Sequence, residues 1–320
     1  GQATMLAQAT TLNAGAGNVT FNNTLDGGFD LVINATGSTR LDGDVGASTP
    51  LASLTTNAGG MVLVDASTVH TTGTQTYNDM VSLLRNVTLT GSGVTFNAAV
   101  MGTGDLAVVG AAVLNGGSIT TTGAQTYNGN MALQKNTLLD AGAGAVTFNG
   151  MVDGAYTLTV NSGGVTTFNG PIGSTSALSS LSTDANTSGS LVMNGGSVVT
   201  TGAQSYGEAV SLTANTTLTS SGAGDISFGQ VLNGAQALWV NTAGATRFMG
   251  GVGNITPLAS VTTDTGGTVL LNGGSVTTSG AQTYRDAMTL GAHSTLTSTT
   301  DTVNFLRITD GVAGFDLKIE

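Results

Sequence analysis

Apolar residues alternate with polar ones in short runs along this chain, and the same runs return at long intervals. A strand of one type follows the turn that carries Asp-Gly or Asn-Gly in most copies: LVIN from Leu31, LAVV from Leu106, LTVN from Leu158, LWVN from Leu238 and LKIE from Leu317. The first position is always Leu. The third is Ile33, Val108, Val160, Val240 or Ile319, while the second varies freely through Val32, Ala107, Thr159, Trp239 and Lys318. Side chains alternate faces along a strand, so the first and third positions point inward and the second points to solvent. A second family, VTF, places Val19, Phe21, Val94, Phe96, Val146, Phe148, Ile226, Phe228, Val303 and Phe305 inside, with Thr20, Thr95, Thr147, Ser227 and Asn304 outside. A third, TLT, contributes Leu12, Leu89, Leu138, Leu218 and Leu296 to the core. Between these runs lie Gly, Asn and Asp, residues that accept positive φ or form Asx turns.

The period of recurrence decides the architecture. A tyrosine marker, TGTQTYND, TGAQTYNG, TGAQSYGE and SGAQTYRD, falls at Tyr77, Tyr127, Tyr206 and Tyr284, with spacings of 50, 79 and 78. The short copy lacks a block equivalent to Gly163–Gly189, and the sequence then rejoins in register at NGGS. Stacked coils tolerate such a loss, because each coil touches only its neighbours. The expected fold is therefore all-β: a right-handed parallel β-helix, or β-solenoid, of ~75–80-residue repeats of about three coils each. The expected organisation is one continuous solenoid over 1–320. Its units are approximately 1–18 (partial), 19–93, 94–145 (short by one coil), 146–225, 226–302 and 303–320 (partial). Both ends fall inside a repeat, which suggests a window on a longer protein.

Composition narrows the function classes. Hydrophobic residues make up 40%, enough for a core, whereas charged residues make up only 8%. Gly numbers 49 and Thr is more frequent still; helix-favouring Glu, Lys and Arg are scarce. The net charge is −11 with seven basic residues, so no basic cluster offers itself to nucleic acid or anionic lipid. No apolar run is long enough for a membrane span. With no Cys there is neither a disulfide framework nor a thiolate metal site.

The run TTGAQTYNGNMALQKNTLLDAGAGAVTFNG resembles the repeats of filamentous-haemagglutinin-like and giant adhesin-type bacterial surface proteins. GAQTYN, VTFNG, NGGS and the LTVN strand carry the resemblance over essentially the whole chain. It implies a right-handed parallel β-helix, export to the cell surface as an extracellular filament, and a role in cell adhesion or cell–cell contact. Partners implied are other copies of the chain in a fibre, or glycans of a host or neighbouring cell.

The main competitor is a carbohydrate-binding or carbohydrate-active β-helix protein of the polysaccharide lyase or hydrolase type. Such enzymes need clustered carboxylates in a groove. Here the acids interchange with amides between copies: Asp26, Asp153 and Asp310 stand where Asn233 stands, and Asp184 and Asp264 stand where Asn57 stands. An amide cannot carry proton chemistry, but it can hold a turn. No catalytic residue, cofactor or metal site is therefore expected. His70 and His293 fall at different phases of the repeat, and the calcium-binding nonapeptide is absent, leaving only weak Ca2+ binding at turns conceivable. Arg40 and Arg247 align as surface residues. The tyrosines are expected to pack beside turns with their hydroxyls at the surface. Trp239, alone of its kind and outward-facing, is the single candidate surface contact.

Overall fold

The computed structural model describes residues 2–184, 189–309 and 314–320, and these form strands joined by turns. The strands stack in parallel coils as a right-handed β-solenoid of about 15 turns. The chain divides into two compact units, Gly1–Gly150 and Met151–Glu320.

In the first unit each coil contributes one residue to each of three interior columns. One runs Val19, Thr39, Val62, Val81, Val100, Ile119 and Leu139. The next runs Leu31, Leu54, Gln75, Val94, Ala112 and Met131. The third runs Leu25, Val45, Val69, Leu89, Val108, Tyr127 and Phe148. The second unit repeats the plan. Its columns include Leu158, Leu181, Gln204, Ile226, Thr246, Val269 and Met288, and also Ile172, Val198, Leu218, Val240, Thr263, Tyr284 and Phe305. Coil length is elastic: 18 residues separate Val94 from its partner Ala112, and 25 separate Thr166 from Leu191. The surplus goes into turns, where it leaves the ladder untouched.

Alternation holds as the pattern dictates. Leu31, Leu106, Leu158, Leu238, Ile33, Val108, Val160 and Val240 are buried, as are Val94, Phe96, Val146, Phe148, Ile226 and Phe228. The terminal copies are the exception: Leu12, Val19, Phe21, Val303, Phe305 and Leu317 are only half-buried, and Ile319 is exposed, since the outermost coils have a neighbour on one side only. Leu138 is a correction. It is half-buried, and Leu139 fills the core instead, in register with Ile119. The equivalence that matters runs from the preceding Asn-Thr pair: Thr137 and Leu139 correspond to Thr216 and Leu218, all four buried.

The repeat does not close on a whole number of coils. In the first unit, Gln75 heads the column Gln75, Val94, Ala112, Met131, yet Gln125 falls between the last two and stacks on Leu106 and Val146. In the second, Gln204 heads Ile226, Thr246, Val269 and Met288, yet Gln282 falls between the last two and stacks on Val261 and Val303. Each copy thus returns on a different face. No motif residue can then form a straight row down one side of a unit.

The turns that make this possible are specific. Gly27, Gly154 and Gly234 have φ of 126°, 138° and 128° and follow Asp26, Asp153 and Asn233. A Cβ on Gly27 would lie 2.4 Å from the Leu6 carbonyl oxygen, and one on Gly234 would lie 2.2 Å from that of Leu212. Only glycine fits these positions.

Candidate functional site

Four polar constellations recur or stand out, and each is built by the same turns and strands.

The turn carboxylates bind backbone. Asp26 Oδ1 accepts from Ser48 N at 2.9 Å and Thr49 N at 3.0 Å. Asp153 Oδ1 does the same for Thr175 N and Ser176 N, at 3.0 Å each. Asn233 Oδ1 accepts from Ile255 N at 3.0 Å and Thr256 N at 3.3 Å. Asp310 lies outside the described residues. The other set matches too: Asn57, Asp184 and Asp264 accept from Ala35 N (2.8 Å), Ser162 N (2.6 Å) and Thr242 N (3.0 Å). In each case one oxygen organises the turn of a neighbouring coil, which an amide oxygen does equally well.

The tyrosine marker is an interior clamp, contrary to the expectation of surface hydroxyls. Tyr77, Tyr127, Tyr206 and Tyr284 are fully buried, and each donates its hydroxyl proton to Oε1 of the glutamine two residues earlier, at 2.8–2.9 Å. The glutamine amide donates in turn to two carbonyls, as Gln204 does to Val198 and, across to the next coil, to Thr219. Each ring stacks on a VTF phenylalanine one coil later, with Tyr206 and Phe228 centroids 5.3 Å apart. Burial pushes all four phenols up. The tyrosine is hidden because the glutamine brings a partner for its hydroxyl inside. Gln two residues before Tyr in all four copies was the sequence signal.

Two residues after three of the tyrosines sits an acid that sequence reasoning did not single out: Asp79, Glu208 and Asp286, all buried. The short copy has Gly129 there. Asp79 Oδ1 accepts from Gly60 N (2.7 Å), Asp286 Oδ1 from Gly267 N (2.8 Å) and Glu208 Oε2 from the Thr183 hydroxyl (2.9 Å). Their second oxygens, Asp79 Oδ2, Asp286 Oδ2 and Glu208 Oε1, are buried without a hydrogen-bond partner. Burial raises all three, and takes Glu208 to about 7, helped by repulsion from Asp184. Asp286 is repelled in the same way by Asp264. A carboxyl in this setting holds its proton more tightly than in water.

On the surface, Trp239 is 38% exposed between Thr217 and Thr262 of adjacent coils, outward as its strand position requires. His70 and His293 do not approach one another in sequence phase; His293 contacts Asp316 and Phe315. Arg247 grips Asp225 through Nε and Nη2 at 3.0 and 2.9 Å, and Arg40 pairs with Asp42 and Asp65. Among the described residues, no three His, Asp or Glu side chains are grouped to hold a metal ion. Two shallow recesses of about 430 and 390 Å3 open on the surface, one in each unit. The larger is lined by Gly266, Gly267, Arg285, Asp286, Leu306 and Arg307.

Comparison with family models, curated proteins and solved structures finds no match to this chain.

Proposed function

We propose that the chain is a shaft segment of a secreted bacterial cell-surface adhesin, a stiff spacer for adhesion or cell–cell contact, and that it does not act as an enzyme. The observation that carries this reading is the employment of the turn acids. Asp26 and Asp153 spend an oxygen on the same backbone amides that Asn233 satisfies, and Asp184 and Asp264 do what Asn57 does. An acid replaceable by an amide is not selected for proton transfer. A parallel β-solenoid is compatible with a shaft and with a β-helix enzyme or binding protein alike. What favours the shaft is a polar inventory devoted to joining one coil to the next. Partners in this reading are further copies in a fibre, or glycans of a neighbouring cell, with Trp239 as one contact.

The test is a panel of polysaccharides incubated with the chain, read for new reducing ends and for unsaturated sugars, beside a glycan array probed with the parent and with Trp239→Ala. Absence of turnover, with array signal either nil or lowered by the variant, is the expected result. Turnover that survives purification and depends on a named acid would overturn the assignment.

A further inference from the structure

We propose that the recess beside Arg285 and Arg307 binds the anionic group, carboxylate or sulfate ester, of an acidic polysaccharide. The proposal is independent of the shaft reading, since a shaft can carry a binding point and so can an enzyme.

Three observations converge on this place. First, the arginines there are unlike the others. Arg40, Arg85 and Arg247 each pair with an aspartate, whereas Arg285 and Arg307 have no ion pair or side-chain hydrogen bond among the described residues. In a chain with 18 acids and seven bases, two unpaired arginines lining one recess are not expected by composition. Second, no other copy has an arginine at either position. The position after the marker tyrosine is Asn78, Asn128 or Gly207 in the earlier copies, and the position after the VTF phenylalanine is Asn22, Asn97, Asn149 or Gly229. Those amides form ladders from coil to coil, Asn97 on Asn78 at 2.6 Å and Asn149 on Asn128 at 2.8 Å. The third copy has Gly207 and Gly229 instead, and the last copy has Arg285 and Leu306, with Arg307 following; there the strand Gln282–Leu290 shifts register between Tyr284 and Ala287. A bulge of this kind re-aims side chains and is common beside binding sites. Third, there is space between the two arginines. The recess holds about 430 Å3, within the range of small-ligand sites and far more than one carboxylate side chain would fill.

The chemistry follows from the lining. Guanidinium forks match the two oxygens of a carboxylate or sulfate and lose less hydration than an ammonium would. The exposed side chain of Leu306 offers an apolar contact for a sugar ring, and Gly266 and Gly267 add no side chain to crowd it. The remaining surface is acidic and repels a long polyanion, so a short stretch of the glycan engages at this point and salt weakens it.

The experiment is calorimetric titration of the full chain with three short oligosaccharides: oligogalacturonate, which carries carboxylates only; sulfated dextran oligomer, which carries sulfates only; and plain dextran oligomer. Binding of one or both charged probes, weakened by salt, with none of the neutral one, is expected, and shows which oxyanion is preferred. The paired change Arg285→Gln and Arg307→Gln should lower affinity at least about tenfold, the loss of one or two charge-assisted hydrogen bonds. Arg247→Gln, which leaves the recess alone, should bind as the parent does. Circular dichroism melts confirm that each variant is folded. Failure of both charged probes, equal binding of plain dextran, or an unchanged affinity in the paired variant would each overturn the proposal.

Discussion

Asp44 and Glu208 are both acids seated between coils, one in each unit, and the protein treats them in opposite ways. Asp44 Oδ1 accepts from Ser67 N (2.8 Å), Ser67 Oγ (2.7 Å) and Thr68 N (3.2 Å). Partial burial pushes its carboxyl up, but those bonds, with Arg85 nearby, outweigh it and hold the group below its ordinary value. Glu208 is fully buried, has one hydroxyl donor, faces Asp184, and is driven up to about 7. Depth of burial and hydrogen bonding together set the outcome: at the partly open Asp44 the hydrogen bonds prevail, and at the fully buried Glu208 desolvation does. The first acid favours the folded state as an anion, the second as a neutral group.

The comparison extends to an acid with no donor at all. Leu158 is buried in a column with Leu181, and its neighbour Thr159 faces outward. Leu158→Asp puts a carboxylate where no amide points, and should cost several kcal/mol, the largest effect considered. Thr159→Asp should stay within about 0.5 kcal/mol. Thermal melts of the two variants check this, and equal shifts would break the inward–outward assignment.

Next in size is Glu208→Gln. A raised carboxyl means that the folded chain binds a proton the unfolded chain releases. Its stabilising contribution is complete below the ordinary value of 4.5 and is lost as pH rises through about 7. At pH 8 the parent therefore holds a destabilising anion, and the variant should be more stable by up to about 3 kcal/mol. At pH 4 the two should agree. Hydrogen exchange of the Ser180–Thr183 and Gln204–Tyr206 amides in the full chain, parent against variant, reads this locally. A difference that does not grow with pH would break the contrast with Asp44.

These residues also mark where the sequence was readable. The inward set Leu31, Phe148 and Val160 and the outward Trp239 follow from period and copy comparison, because hydrophobic sorting acts on every copy alike. Asp26 and Asn233 were readable as turn residues for the same reason. The Gln–Tyr clamp was not, because a buried polar pair looks like a surface motif until its partners are located. Glu208 was not, because its effect comes from burial that only the stacked coils create, with Asp184, more than twenty residues away, adding repulsion. Leu138 was assigned inward on the strength of its neighbours' spelling, whereas Leu139 keeps the correct distance from the Asn-Thr turn. The arginine recess was hidden because Arg285 and Arg307 meet only once the coils are stacked.

Tyr206→Phe should come next. It removes the phenol proton that Gln204 Oε1 accepts at 2.9 Å but keeps the stacking on Phe228. Leaving that carbonyl unsatisfied should cost about 1–2 kcal/mol. The loss should not depend on pH between 4 and 8, because Tyr206 carries no charge there, its phenol being held well above the ordinary 10.0. A pH-dependent loss measured by denaturant titration would mean that the clamp and Glu208 are coupled.

The smallest effect belongs to Asp44→Asn, and it sharpens the comparison most. The amide keeps an oxygen in place for Ser67 and Thr68, so the turn should survive. What is lost is the charge. Because the Asp44 carboxyl is held below 3.8, its contribution is present above that value and disappears as pH falls through the folded-state value. The variant should therefore be less stable than the parent at pH 7 by under about 1 kcal/mol, since the site is partly open to solvent. The two should converge in acid. Glu208→Gln shows the reverse: convergence in acid, but with the variant ahead at pH 7 and above. Two carboxylate-to-amide changes in one protein, with opposite signs on the alkaline side, follow when hydrogen bonds outweigh a partial burial at Asp44 and a full burial outweighs the hydrogen bonds at Glu208.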